Sequence, residues 1–178
     1  MKRIQVIQFV VTLAVGAIAI PQVRGQTSGS SPAASGLEPM AFLIAHEWDA
    51  KLPDSPEGKK RKIHARFGWT SNHRAIRISN ELITDGKASP YIEGLYAWDP
   101  QQRAIMFLYV GAEGSLTKGV VRMKNGKLVH EFQETRPDGQ TADYLAEVTP
   151  HGNEAWDNEI FAARGHTAIA KVRYEIAK

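Results

Sequence analysis

Tyr96 and His130 are the two polar residues of this 178-residue chain whose settings best suit work on a small molecule. Each falls within an apolar series read at alternate positions: Ile92, Tyr96 and Trp98 in one stretch, Leu128, His130 and Phe132 in another. A polar group set in an apolar face can orient the polar end of a ligand, and it serves equally as a hydrogen-bonded core residue. Trp98 and Trp69, like Trp48 and Trp156, supply large rings that suit a pocket wall or ordinary core packing. Arg66, Arg77 and Arg122 could grip a carboxylate bidentately if they turned inward. Alternation sends charged residues outward by default.

Catalytic and metal motifs are weak. His46, His64, His73, His130, His151 and His166 never recur at the short spacings of a helical or strand-borne metal site, and the chain has no cysteine to act as a softer ligand. A single-histidine haem site would fall on His130 or His166, and nothing in the sequence selects between them. Ser115 and Lys118 match a Ser-x-x-Lys pattern, but at a turn-to-strand junction rather than at the start of a helix. Glu131, Glu134 and Asp143 lie on neighbouring stretches and could form a carboxylate pair for acid–base work, or face solvent beside Lys and Arg. No catalytic residue can be assigned, and no metal ligand set or cofactor is expected.

The elements that must position these residues are written in the turns. Ser71-Asn72, Asp85-Gly86, Asp99-Pro100, Glu113-Gly114, Asn125-Gly126, Asp138-Gly139, Gly152-Asn153 and Arg164-Gly165 recur roughly every 13 residues. Gly, Asn and Asp supply the positive φ angles of tight hairpins. Between them run alternating stretches such as 63–69, 128–132 and 142–148. Residues 103–110 are apolar on both sides, which predicts the most deeply buried strand. Only 37–45 reads as a helix, about two turns with Pro39 in the first, where its missing N–H does no harm. About ten long strands joined by hairpins, with no helix to cover a face, hide their apolar side by curling onto themselves. The spacing therefore predicts an all-β fold, an up-and-down antiparallel β-barrel of about ten strands with a short N-terminal helix. A two-sheet sandwich is the alternative.

Residues 1–25 read as an export signal: Lys2 and Arg3, an apolar run to Ile20, then Val23-Arg24-Gly25 as a cleavage site. Residues 26–37, rich in Ser, Gly and Ala, read as a flexible leader, and 38–178 as the barrel domain. Removing the signal takes Lys2, Arg3 and Arg24 from the chain's 22 basic residues and leaves 19, against 19 acidic ones. A formally neutral chain gives no ground for a nucleic-acid partner, which needs a sustained basic surface. The apolar run is short for a membrane span, so no stable membrane insertion is expected once the signal is removed.

The stretch Leu43-Ile44-Ala45-His46-Glu47-Trp48 resembles the opening of calycin-type barrels, where a Gly-x-Trp motif begins the first strand. Here His46 stands in place of the Gly, while Trp48 keeps the position of the residue that closes the barrel end. Tyr91-Ile92-Glu93-Gly94-Leu95-Tyr96-Ala97-Trp98-Asp99-Pro100 resembles the bacterial family called domain of unknown function 1579, whose members have lipocalin-like barrels. The resemblance implies a barrel over about 40–174, with a filled interior or one enclosing a small ligand. The expectation is an exported protein, periplasmic or secreted, that binds a small, largely apolar ligand. Trp98, Tyr96, His130 and Trp69 would form the wall, and Arg66 or Arg77 would anchor an anion. The alternatives are a hydrolase or isomerase at the barrel mouth using His and Glu, and an envelope interaction protein with a filled barrel.

Overall fold

The computed structural model describes residues 36–178; the expected signal and most of the expected leader lie outside the described residues. A 3-10 turn (Glu38–Met40) runs into a one-turn helix, α1 (Ala41–Ile44). Ten strands follow: β1 (Trp48–Leu52), β2 (Arg61–Trp69), β3 (Ala75–Thr84), β4 (Lys87–Asp99), β5 (Ala104–Gly111), β6 (Leu116–Lys124), β7 (Lys127–Thr135), β8 (Thr141–His151), β9 (Ala155–Ala162) and β10 (Thr167–Ile176). Each pairs antiparallel with its neighbours in the chain, and β10 returns to β1, so the sheet is a closed ten-stranded up-and-down barrel. The two-residue hairpins at Asp85-Gly86 and Asn125-Gly126 hold both residues at positive φ, the geometry that matches strand twist.

One end of the barrel is plugged. Leu37, Met40 and Leu43 are almost wholly buried and join the core with Trp48, Ile76, Ile105, Val121, Leu128 and Trp156. Leu37, expected as the last residue of the leader, is thus the first residue of the plug. Trp48 donates its indole N–H to the Leu43 carbonyl at 2.8 Å, which ties the plug to the first strand. His46 meets the Trp48 ring edge-on. Toward the other end burial falls away. Inner-face Phe132, Glu134, Tyr144 and Ile160 keep part of their surface accessible.

Strand β5 is not the deepest strand. Ile105 and Phe107 are buried on its inner face, but Leu108 and Val110 on the outer face are 48% and 50% exposed. Leu95 stands opposite Leu108, and Leu116 opposite Val110, so the outside of β4–β6 carries an apolar stripe. The strand reads as apolar on both sides because it serves the core with one face and this stripe with the other.

Two inner-face glycines set the shape of the wall. A Cβ at Gly94 would run into the Leu108 carbonyl and the Tyr109 ring, and one at Gly119 into the Glu131 carbonyl and Phe132. Aromatic side chains from adjacent strands lie over both gaps. Gly68, on the outer face of β2, has open space around it. Gly119→Ala is therefore expected to destabilise the barrel by about 2–3 kcal/mol through overpacking against backbone. Gly68→Ala should stay within about 0.5 kcal/mol of wild type. Urea denaturation of the two variants checks the contrast.

Candidate functional site

The inner wall of β4–β7 holds a hydrogen-bonded chain of three side chains. Tyr109 (β5) donates its hydroxyl to that of Tyr96 (β4). The Tyr96 hydroxyl lies 3.3 Å from Nε2 of His130 (β7). Between β5 and β7, strand β6 presents Gly119, opposite both Phe107 and Phe132, so the rings lean together over a position with no side chain. Phe107 packs edge-on against His130, with centroids 5.4 Å apart, and Tyr96 meets His130 in the same manner at 6.0 Å. This edge-to-face geometry suits the ring quadrupoles.

Burial sets the charge state of the chain. His130 is only 7% exposed, and desolvation pulls its pKa down from 6.5 to about 4, opposed by a contact with the Leu128 backbone that falls short of hydrogen-bond geometry. Burial pushes the Tyr96 hydroxyl far above the ordinary phenol range, and Tyr174 with it. At neutral pH the inner wall here carries hydrogen-bonding groups and no charge.

Four buried polar atoms have no hydrogen-bond partner among the described residues: His130 Nδ1, Asn80 Oδ1, Asn158 Oδ1 and Trp156 Nε1. All four side chains stand on the inner face. Asn80 lies between Ala65 and Ile92, Asn158 between Val148 and Val172, and His130 between Val121 and Ala146. Trp156 stacks flat on Tyr174, with centroids 3.8 Å apart, and takes the edges of Trp48 and Phe67. Each unmet group costs on the order of 1–3 kcal/mol of desolvation, so the wall is built with acceptors and donors the protein itself does not satisfy.

Of the residues singled out from sequence, Tyr96 and His130 come together in one contact. Trp98 also faces inward, but it lies at the plugged end, directly over Gly36. Trp69 faces Ile76 at the same end and stacks on His73. Arg66 and Arg77 do not reach the interior. Ala65 and Phe67 take the inner face of β2, as Ile76 and Ile78 do on β3, and strict alternation turns both guanidiniums outward. Arg66 pairs there with Glu81 at 2.8 Å and lies 3.5 Å from Glu47, so the anion-anchor role falls away for both arginines. Arg122 likewise lies outside, near Glu131.

The carboxylates divide between faces: Glu131 and Asp143 stand outside, and Glu134 points inward toward the open end. Ser115 bonds to Glu113 rather than to Lys118. His64 sits on the outer face between Asp49 and Glu47, His151 pairs with Asp157, and His166 stacks on Phe161. Among the described residues no group of three His, Cys, Asp or Glu side chains is arranged to hold a metal ion. Two grooves of about 460 and 520 Å³ lie on the outside, one along β7–β8 under His166, the other over Glu47, Asp49, His64 and Arg66. Both are open; the second is lined mainly by charged side chains, and the first mixes Lys118, Glu131 and Asp143 with Phe132, Tyr144 and Leu145.

Sequence reasoning missed Asn158 and Tyr109. Asn158 alternates with Trp156 and Ile160 as Asn80 does with Ile78 and Leu82, and that pattern was the available signal. Tyr109 was hidden by the apolar residues on both faces of β5.

The neutral state of His130 has a pH signature. Above about 6.5 the ring is neutral in both folded and unfolded chains. As pH falls below 6.5, the unfolded chain takes up the proton first, and stability is lost until the folded ring titrates near 4. The loss from this group is about 3 kcal/mol. Urea midpoints of wild type should therefore fall more steeply from pH 6.5 to 4.5 than those of His130→Gln.

No known protein-family model matches the chain, and no curated protein is significantly similar to it in sequence.

Proposed function

We propose that this protein is a binding barrel that takes up a small, largely apolar molecule between its inner walls. The observation that carries the reading is the set of buried, unpartnered polar atoms beside the Tyr109–Tyr96–His130 chain. Interior groups of this kind are ordinarily satisfied by the protein, and where they are not, a ligand or ordered water completes them. The aromatic wall supplies apolar contact, the plug blocks one end, and the partly accessible residues at the other end mark the way in.

The displaced pKa of His130 favours a second reading, acid–base catalysis on the inner wall, since shifted groups cluster at active sites. The magnitudes weigh against it. A base with a pKa near 4, bonded to a phenol pushed far above its usual range, is poorly matched to proton transfer near neutrality. The same two groups are well suited to hold a neutral ligand.

We further propose that the chain is exported and cleaved after Gly25. Native mass spectrometry of protein purified without denaturation from cells that make it tests both points. The expected polypeptide begins at Gln26 and carries a discrete mass increment that organic extraction removes. A bare polypeptide in every preparation would count against the binding reading, and an intact N-terminus against export.

A further inference from the structure

Resting on the interior binding proposed above, the geometry points to the chemical class of the ligand: we infer an uncharged molecule that donates hydrogen bonds through hydroxyl or amide groups, and that carboxylates are excluded. Three observations carry this. First, the unmet groups of the wall are neutral. As the amides are set, Asn80 and Asn158 each bury an unpartnered Oδ1, which accepts, so the occupant that matches this setting brings N–H or O–H donors. Trp156 Nε1 only donates and needs an acceptor on the same molecule. His130 Nδ1 donates or accepts according to tautomer, and a hydroxyl, which does both, satisfies it either way.

Second, around the unmet groups the inner wall offers an anion no countercharge. Arg66 and Arg77 face outward, and His130, buried like Asn80, is uncharged near neutral pH. A carboxylate set against the two Asn oxygens would meet acceptors, and its own desolvation would go uncompensated. Third, the charges closest to Tyr91 at the open end gather no net positive charge that would draw an anion in. Arg61 lies there with Glu113 and Glu134 around Tyr91, one cation against two carboxylates.

The unmet acceptors also make a stability statement. A buried oxygen without a partner costs free energy that an apolar side chain of similar size would not, so Asn at these positions is retained at the expense of the fold. Asn158→Leu and Asn80→Leu should raise the melting temperature while weakening binding. Asparagines with a purely structural role would lower both.

The test is isothermal titration of the wild-type chain at pH 7.5 with 1-octanol, octyl methyl ether and octanoate. These probes share a chain and differ in donor and charge. The expected order has the alcohol binding about tenfold more tightly than the ether, which accepts but does not donate, and tighter still than the carboxylate. In the Asn80→Leu/Asn158→Leu double variant the alcohol–ether gap should shrink to about twofold or less. Ether binding equal to alcohol in wild type overturns the donor requirement. Octanoate binding as tightly as the alcohol overturns the exclusion of carboxylates while leaving interior binding standing. If none of the three binds, the interior reading falls, and this inference with it. The wild-type comparison decides the matter even if a variant does not fold.

Discussion

The seam between β1 and β10 is the contact on which the rest of the barrel depends. It is the shortest pairing in the sheet, three register pairs from Trp48↔Ile176 to Ala50↔Tyr174, whereas β2 and β3 share nine. One backbone bond, from Ala177 N–H to the Glu47 carbonyl, extends it. A seam this short would part readily if it were only a ladder. It is closed instead by Trp48, fully buried, bonded to the plug through Leu43 and set edge-on against Trp156 of β9. Plug, seam and far wall are thereby one packed unit. Opening the seam would expose two edge strands, with their unpaired N–H and C=O groups, and the core together.

Closure also makes the side-chain period absolute. In a sheet with a free edge a strand can slip by one residue, but in a closed barrel every strand is held on both sides, and a slip would turn a whole strand inside out. The turn chemistry and the alternating stretches were therefore legible: ten strands, their order and their hairpins follow from Asp85-Gly86, Asn125-Gly126 and their counterparts. The same period, applied strictly, sends Arg66 and Arg77 outward, because each stands between two inner-facing apolar residues. An inward arginine would have required reversing a face already committed to Ala65 and Phe67 or to Ile76 and Ile78.

What the chain does not spell out is contact between strands that are not neighbours in the ladder. Tyr96 and His130 are separated by 34 positions and by strands β5 and β6, and each could be read only as a polar residue on an apolar face. Their meeting depends on Gly119, whose missing side chain lets Phe107, Phe132, Tyr96 and His130 converge. A glycine in a strand reads from sequence as a weakness or a bulge. Here it is the space in which an aromatic cluster forms, and only the register reveals that. The outer stripe of Leu95, Leu108 and Val110 shows the converse: hydrophobicity alone suggested depth, but it does not say which face is inside.

The polar atoms of the inner wall then acquire a physical meaning. Local choices elsewhere agree with the global fold: hairpin residues at turns, small residues at close approaches, aromatic rings over glycines. Against that consistency, two asparagine oxygens, one indole N–H and one imidazole nitrogen stand buried and unmet on a single face. With folded chains stable by only about 5–15 kcal/mol, groups costing on the order of 1–3 kcal/mol each are a large concession. Leu or Val at 80 and 158 would keep the alternation, fill the volume and remove the penalty. Conflicts of this kind, confined to one surface of an otherwise consistent structure, are where function is expected to lie. The inner wall of β3, β7 and β9 is that surface, and its neutral donors and acceptors are the features that a change to an apolar core would erase.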